Sequence, residues 1–509
     1  MDALRVLLGW LLVWALGVAV LRRAYARDGS GAVHPAWIAG AGFPVGAFLL
    51  VLEMALISRT GLDFGIVTVG APLVAGLVAL VLADRRARRS SGIAPVRPWS
   101  TWAWPERGAR GVLYALLLAW LGVHTLLLLL EVLRQPLFPW DAWTQWATKA
   151  KVWFSLGHMA PFLTAREWLS GTGSGYYDAA PHYPALVPLW QVWSSVALGR
   201  FDDALMNLPW WLLGIALALA LYGFLRMRAF TPLAALAGTW LIVSMPIFET
   251  HIALAGYADL PLAAYLTAAV LAGLLALDRE SRAHALVAVV LAAALPMIKN
   301  PGWVWLATLV PGVIVARLPR RGMRIALVAW GVAVALAAML GRFDATILGY
   351  HLHLQLDVPW HGLVEAYLSF ANWHLLFWFV PAVVLVARRY LDAPGIGPLT
   401  AVVVSGALFL MLGFSLTNAS VWVEDQSTVN RATLHLAPLL GVWLLLLMQR
   451  ALPAMTMATQ AGDEPVSPPS APASAPQPAP AAASSVAAGV VPSVASSTAA
   501  ASALSARDA

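Results

Sequence analysis

The sequence has no cysteine and few charged residues, and each shortage excludes a class of protein. Without cysteine, the 509-residue chain can form neither a disulfide nor a thiolate metal site, and it has no cysteine nucleophile. Charged residues make up 11% of the chain, whereas a soluble domain carries about 25%. Most of the chain therefore has nothing to present to water, which excludes an ordinary soluble domain.

Motifs for nucleotide use and for soluble-type hydrolysis are also missing. The sequence contains no glycine-rich phosphate loop ending in Lys-Ser/Thr, no GxSxG turn and no HExxH helix. These absences disfavour a nucleotide-driven pump and a soluble-type hydrolase. No cofactor is predicted, and nothing in the sequence fixes a complete set of metal ligands.

Apolar residues are abundant, at 60% of the chain, with a mean hydropathy of +0.75. A run of about 17–25 apolar residues crosses the roughly 30 Å hydrocarbon core of a bilayer. The predicted spans are 4–21, 36–57, 66–83, 111–133, 207–225, 232–248, 260–277, 283–298, 301–317, 324–341, 371–388, 398–415 and 432–449. Because no segment alternates like a barrel strand, the sequence predicts an all-α polytopic integral membrane protein with about 13 transmembrane helices.

The chain has a net charge of +7, and the positions of its basic residues are typical of topology signals rather than of a nucleic-acid-binding surface. Arginine clusters lie between the apolar runs, and each cluster follows an odd-numbered run. Basic residues between spans favour the cytoplasmic side of a membrane, so these clusters are explained as determinants of topology. We therefore expect no nucleic-acid partner, and we expect a multi-pass protein of the cytoplasmic (inner) membrane. The N-terminus is then outside and the C-terminus cytoplasmic, provided that the Pro-containing segment 184–198 is a short re-entrant helix that does not cross.

The chain is predicted to divide into a transmembrane domain, residues 1–450, and a tail, residues 451–509. The tail is rich in proline, alanine and serine, a composition that cannot bury enough apolar surface to fold, so it is predicted to be disordered. Outward loops are predicted at 134–206, 342–370 and 416–431.

The first outward loop begins with a candidate amphipathic helix in the sequence PWDAWTQWATKAKVWFSLGH. At 100° per residue, Trp143 and Trp146 share an apolar face, and Asp141, Gln145 and Lys149 form a polar ridge opposite. The pattern predicts a helix in the membrane interface that carries a carboxylate and an ammonium together. A simple interfacial anchor with solvated charges remains an alternative.

Further polar candidates lie at the predicted outer ends of other apolar segments. His182 and Tyr183 precede the short Pro-bounded helix, where an aromatic belt is the alternative. Tyr257 and Asp259 belong to the motif GYADLPLA, and Asp259 is alternatively a helix N-cap.

Two cations complete the set of polar candidates. Lys299 lies in a KNPG corner, and Arg431 lies at the outer end of the last run. An arginine at that depth is costly unless paired or hydrated, which favours an anionic partner. An arginine that snorkels to the interface is the alternative.

The motifs PWDAWTQWATKAK, HYPALVPLW, GYADLPLA and KNPG, in this order, resemble the GT-C superfamily of membrane glycosyltransferases. The likeness is to the branch related to protein mannosyltransferases and lipid-A aminoarabinose transferases, and it covers roughly residues 110–450. It implies transfer of a sugar, with inversion, from a polyprenyl-phosphate donor to a lipid, glycan or protein acceptor at the outer face of the membrane.

The resemblance also implies roles for residues. Asp141 takes the place of the acid that acts as base or orients the acceptor, and Asp259 is a second acidic position. Many relatives have two adjacent acids, whereas Ala142 follows Asp141 here. The residues expected to bind substrate are Lys149, His182, Tyr183, Tyr257, Lys299 and Arg431, with Lys149, His182 and Arg431 expected to hold the carrier phosphate.

The alternative function is a multi-span transporter or flippase for a lipid-linked or anionic solute. Such proteins bind their solute near mid-membrane, between broken helices. The predicted span interiors hold almost no charge, with Glu53 and Glu131 as exceptions, so the sequence favours the transferase.

Overall fold

The apolar runs form helices, and a computed structural model describes them over residues 1–28, 33–91, 106–340, 344–347, 350–353, 355 and 358–460. The first ten α-helices are α1 Asp2–Asp28, α2 Pro35–Thr60, α3 Ile66–Ser91, α4 Gly108–Arg134, α5 Thr148–Leu156, α6 Ala165–Ser170, α7 Leu186–Leu198, α8 Leu208–Met227, α9 Pro232–Val243 and α10 Pro246–Ala253. The others are α11 Asp259–Arg279, α12 Arg282–Ile298, α13 Gly302–Val315, α14 Arg320–Leu340, α15 Trp360–Val364, α16 Leu376–Ala387, α17 Gly397–Leu416, α18 Val421–Glu424 and α19 Ser427–Gln460.

Short elements fill the connections between these helices. Two π-helices span Ala142–Ala147 and Glu365–Ser369, and 3₁₀ turns span Leu205–Asn207, Ala371–Trp373, Arg388–Tyr390 and Asn418–Ser420. The strands are β1 Phe162–Leu163, parallel to β2 Tyr176–Tyr177, and β3 Asp344–Ile347, antiparallel to β4 Tyr350–His353 with Asp344 opposite His353. The described part of the protein is thus helical, as predicted, with two small strand pairs in its connections.

Eight helices of the described ranges are long and apolar enough to cross a membrane: α1, α2, α3, α4, α8, α11, α17 and α19. A ninth span is possible if α9 and α10, which are bent by 65° at their junction, count as one. The prediction of thirteen spans is therefore wrong. The helices α12, α13 and α16 have 17, 14 and 12 residues and are not among the eight. The run 324–341 lies mostly in α14, which is not among the eight.

The lower count also affects the predicted orientation. The predicted side of each basic cluster depends on the odd and even order of thirteen runs, and that order does not hold for eight or nine spans. An outside N-terminus and a cytoplasmic tail stay predictions. The short helix α7 lies where the re-entrant helix was predicted; its 13 residues are too few to span, and nearly all of them are buried inside the protein.

The described part of the chain up to Met457 forms one unit. Of the second unit, Ala458–Ala509, the structure describes only the end of α19, which runs to Gln460. The predicted disordered tail therefore begins in a helical segment, and its residues 461–509 lie outside the described ranges.

Glycines let the first two helices touch backbone to backbone. A Cβ atom added to Gly17 of α1 would lie 1.9 Å from the carbonyl oxygen of Gly42 in α2. One added to Gly46 of α2 would lie 2.1 Å from the carbonyl oxygen of Val13. Small residues at such contacts allow the close van der Waals packing that holds helices together in a membrane.

The helix α11 separates two groups of polar residues. Its 21 residues span about 30 Å, the thickness of a bilayer core. Asp259 lies at its first residue and Arg279 at its last. The residues Asp141, Lys299 and Arg431 contact the Asp259 end or one another there. The candidate site is therefore confined to one end of the helix.

Candidate functional site

The centre of the candidate site is the carboxylate of Asp259, which is 0% exposed. Its Oδ1 accepts hydrogen bonds from Lys299 Nζ at 2.6 Å and from His435 Nε2 at 3.0 Å. Its Oδ2 accepts one from Arg431 Nε at 2.9 Å. We call Asp141, Asp259, Lys299, Arg431 and His435 the Asp259 cluster.

Asp259 is not a helix cap. Ala258 occupies the N-cap position of α11 and makes no side-chain capping bond. The Asp259 carboxylate points instead to cations contributed by α19 and by the turn before α13. Because a buried charge is costly unless it is paired and hydrogen-bonded, Asp259 holds these elements together.

Lys299 is positioned by the KNPG corner. It ends α12 in an extended conformation, and Pro301 then begins the next helix. The corner needs glycine at Gly302, since a Cβ atom there would lie 2.0 Å from the carbonyl oxygen of Leu295. Burial lowers the pKa of Lys299, and the attraction of Asp259 opposes that shift and favours the ammonium form.

Arg431 joins the two candidate acids. Its terminal nitrogen lies 2.7 Å from Asp141 Oδ2 and 2.9 Å from Asp259 Oδ2. The guanidinium also lies over the ring of Tyr257, 4.2 Å from its centroid, an arrangement that attracts a cation to the aromatic face. Arg431 is thus paired within the protein, which excludes the snorkelling alternative.

Asp141 reaches Arg431 because the chain around it is unusual in two ways. The helix that follows, Ala142–Ala147, has π geometry, which is rare and is often found at functional sites. The GYAD turn packs against its start: Gly256 has φ +105°, and a Cβ atom there would lie 2.8 Å from Ala142 Cβ. Only glycine suits both that backbone angle and that contact. Asp141 itself is 27% exposed, so it is the accessible acid of the pair.

His435 has a fixed tautomer. The indole nitrogen of Trp305 donates to its Nδ1 at 2.9 Å. Since Nδ1 accepts that bond, the proton of the neutral ring lies on Nε2 and is donated to Asp259. His435 was visible in the sequence one helical turn after Arg431 and was not predicted as a site residue; nothing in the sequence links it to Trp305.

A second buried histidine, His251, lies beside Tyr257, with the ring centroids 5.5 Å apart. Its Nδ1 lies 2.8 Å from the carbonyl oxygen of Ile247 and must donate to it, because a carbonyl only accepts. Its Nε2 therefore carries a lone pair, and that atom has no hydrogen-bond partner in the described part of the chain. No pattern in the sequence predicts this acceptor.

Lys149 lies outside the Asp259 cluster. Its ammonium donates to the carbonyl oxygen of Ala180 at 2.6 Å and pairs with Asp178 at 3.3 Å. The side chain is 1% exposed, which excludes the alternative of a solvated charge at this position. Lys149 pairs with Asp178, whereas Asp141 pairs with Arg431, so the two residues do not share the predicted polar ridge. The i→i+5 hydrogen bonds of the π-helix Ala142–Ala147 change the angle between successive residues. Residues on either side of it therefore do not lie on the common helix face that 100° per residue predicts.

His182 and Tyr183 lie near Lys149 rather than near Asp259. Their rings stack with centroids 5.6 Å apart, and Tyr183 contacts Trp146 at 5.1 Å. Burial raises the pKa of the nearby Asp178 and lowers that of Lys149, while their mutual attraction opposes both shifts. Of the predicted site residues, Asp141, Tyr257, Asp259, Lys299 and Arg431 are brought together, and Lys149, His182 and Tyr183 form a separate group.

The Asp259 cluster offers a partly exposed carboxylate, that of Asp141, beside two cations at the end of the spanning helices. Within the described ranges, no group of three or more histidine or acidic side chains is arranged to hold a metal ion. No family model, curated protein or solved structure matches the chain. Its fold and composition define a polytopic helical membrane protein with eight or nine apolar spans.

Proposed function

We propose that the protein is a membrane glycosyltransferase that moves a sugar from a polyprenyl-phosphate carrier to an acceptor hydroxyl. The observation that supports this most is the convergence of Asp141 and Asp259 on one guanidinium, that of Arg431. The motifs PWDAWTQWATKAK, GYADLPLA and KNPG, which resemble those of GT-C transferases, supply the acids and Lys299 of this one cluster.

In the proposed reaction, the carrier phosphate takes the place of Asp141 on Arg431. The freed Asp141 carboxylate then accepts the proton of the acceptor hydroxyl. The hydroxyl oxygen attacks the anomeric carbon from the side opposite the phosphate, and the bond between that carbon and the phosphate oxygen breaks. The phosphate leaves with the bonding electrons, and Arg431 and Lys299 neutralise its charge at a depth where the dielectric is low.

Asp259 has a supporting role in this scheme. It is buried and engaged by Lys299, Arg431 and His435, so it orients the two cations and does not itself take the proton. The pairing compensates the cost of keeping the cations buried before substrate binds. A preorganised cation pair needs no rearrangement of its own when charge develops on the leaving group.

Exposed aromatic residues beside Asp141 fit a lipid-linked donor. Trp140 is 69% exposed and contacts Trp143 at 5.0 Å between ring centroids, and Phe138 is exposed as well. Tryptophan at a membrane boundary prefers the head-group level. The base would thus lie where the phosphate of a membrane-anchored carrier is held.

A strain that lacks the gene tests the proposal. Its lipids should accumulate a polyprenyl-phosphate sugar by mass spectrometry, and wild-type protein should remove the accumulation. Asp141→Asn should not remove it, although the variant reaches the membrane in wild-type amount, because the amide cannot accept the proton. The control is Asp203→Asn, which alters an exposed acid of the segment 134–206 that also contains Asp141 and should behave as wild type. No accumulation, or full rescue by Asp141→Asn, would sink the assignment.

A second candidate, a transporter or flippase for a lipid-linked or anionic solute, is favoured by the break between α9 and α10. Broken helices line the solute sites of many transporters, and Glu249 of α10 lies 2.8 Å from His124 of α4. Purified protein in liposomes separates the two functions. A transporter would move a labelled polyprenyl-phosphate sugar between leaflets and leave its sugar attached, whereas the transferase would release the sugar to an acceptor.

A further inference from the structure

A cavity of about 470 Å³ lies at the Arg279 end of α11. Its lining, as far as the chain is described, includes three arginines, Arg228, Arg279 and Arg450, and one acid, Asp278. Its volume is within the range of about 300–1,000 Å³ that small-ligand sites occupy. None of these residues belongs to the Asp259 cluster, which lies at the other end of the same helix.

We propose that this arginine cavity binds a phosphate-bearing anion. This site goes beyond the proposed function and does not depend on it. The lining carries three guanidinium groups and one carboxylate, and a bound phosphate would bring negative charge to this predominantly basic cavity. Arginine suits this ligand because its planar fork can donate two parallel hydrogen bonds to phosphate oxygens.

The arginines converge on one cavity, which distinguishes them from ordinary topology signals. Arg228 is held in place by Asp278, with which it is paired, and donates to the carbonyl oxygen of Gly395 at 2.7 Å. Gln449 donates to the carbonyl oxygen of Arg228 at 2.8 Å and so joins α19 to α8 here. An arginine that served only as a topology signal would extend into water and needs no such support.

The electrostatics of Arg228 point the same way. Burial and the like charges of Arg450 and Arg279 lower the pKa of Arg228 to about 10. The cavity therefore brings like charges together at a cost that an anion would relieve. The neighbouring wall is apolar, with Met227, Leu275 and Leu446, so a phospholipid headgroup could enter with its glycerol side against these residues. Basic pockets between spanning helices hold such headgroups in other membrane proteins.

The test measures the thermal midpoint of the purified full-length protein in a neutral detergent. One arm adds short-chain phosphatidylglycerol, a second adds inorganic phosphate, and a third adds sodium chloride at matched ionic strength. Arg450→Gln removes an exposed arginine of the lining, Arg450→Lys keeps the charge, and Arg85→Gln removes an exposed arginine at the end of another span.

Protection by phosphatidylglycerol alone identifies a lipid headgroup, and protection by inorganic phosphate identifies a soluble phosphate compound; either supports the site. In both cases Arg450→Gln should weaken the apparent affinity at least tenfold, Arg450→Lys less, and Arg85→Gln not at all. Equal protection by sodium chloride, no protection in any arm, or the same affinity in Arg450→Gln would overturn the proposal.

Discussion

Arg431 holds two carboxylates whose surroundings differ, and the difference gives them different tasks. Asp259 has no exposed surface and binds two cations and a histidine, whereas Asp141 is part-exposed and binds Arg431. Removal of one partner from a buried pair leaves an uncompensated charge, which costs more than the pair itself is worth.

Substitution of the two acids should therefore reduce the stability of the protein by different amounts. Asp259→Asn should destabilise the protein by about 3–5 kcal/mol, because Lys299 and Arg431 lose their buried counter-charge. Asp141→Asn, with its single pair at the surface of the cluster, should cost about 1 kcal/mol or less. Tryptophan fluorescence during thermal unfolding in detergent compares them, and equal losses would show that the acids are not divided in this way.

The buried ion pair of Lys149 and Asp178 can be tested separately. Lys149→Met should loosen the segment 176–183, because Asp178 then has no cation in its buried position, and hydrogen exchange there should rise at least tenfold. The double variant Lys149→Met/Asp178→Asn should recover part of the protection, since the orphaned charge is gone.

A different outcome would change the role of Lys149. If Lys149→Met abolished sugar transfer while exchange in 176–183 stayed at the wild-type level, the lysine would have to bind the carrier phosphate, as the sequence predicted.

Among the secondary-structure elements, the contact between α1 and α2 leaves no room for a side chain. Gly46→Ala places a Cβ atom against the Val13 carbonyl, and we expect a loss of at least about 1–3 kcal/mol, because neither backbone can move without disturbing its helix. Gly122→Ala in α4 is the matched control, since a Cβ atom there has nothing within 4 Å. It should be neutral or stabilising by up to about 1 kcal/mol.

The thermal midpoints of the two detergent-solubilised variants show whether the Gly46→Ala substitution destabilises the protein. A Gly46→Ala protein as stable as Gly122→Ala would mean that the two helices are farther apart in the membrane.

The number of spans is a property of the whole molecule, and the absence of cysteine makes it easy to measure. Ser170→Cys lies in the connection that follows Asp141, and Glu280→Cys lies next to Arg279; each introduces one thiol at an exposed position. Because α11 is as long as a bilayer core is thick, a membrane-impermeant maleimide should label Ser170→Cys from one side of the membrane and Glu280→Cys from the other. Labelling of both from the same side would exclude α11 as a span.

The sequence predicted the helical membrane fold and most of the Asp259 cluster, because polar residues at the ends of apolar runs are constrained to meet. Run length alone could not show that α13 and α16 are shorter than their predicted runs or that α9 and α10 are bent at their junction, so the number of spans was overestimated. The partners of Lys149 could not be predicted either, because they depend on a π-helix, which no pattern of apolar residues predicts. His435 needs Trp305 to fix its proton, and those residues are 130 positions apart.

The π-helix Ala142–Ala147 also makes the candidate site unusually easy to lose. Removal of one residue from it would let the segment close as an ordinary α-helix, and everything on its N-terminal side would turn by about 100° relative to α5. Asp141 would then point away from Arg431, although the aspartate itself is still present in the sequence. A single in-frame deletion could thus silence the chain while every residue of the Asp259 cluster persists, so the length of this segment is as informative about activity as the residues themselves.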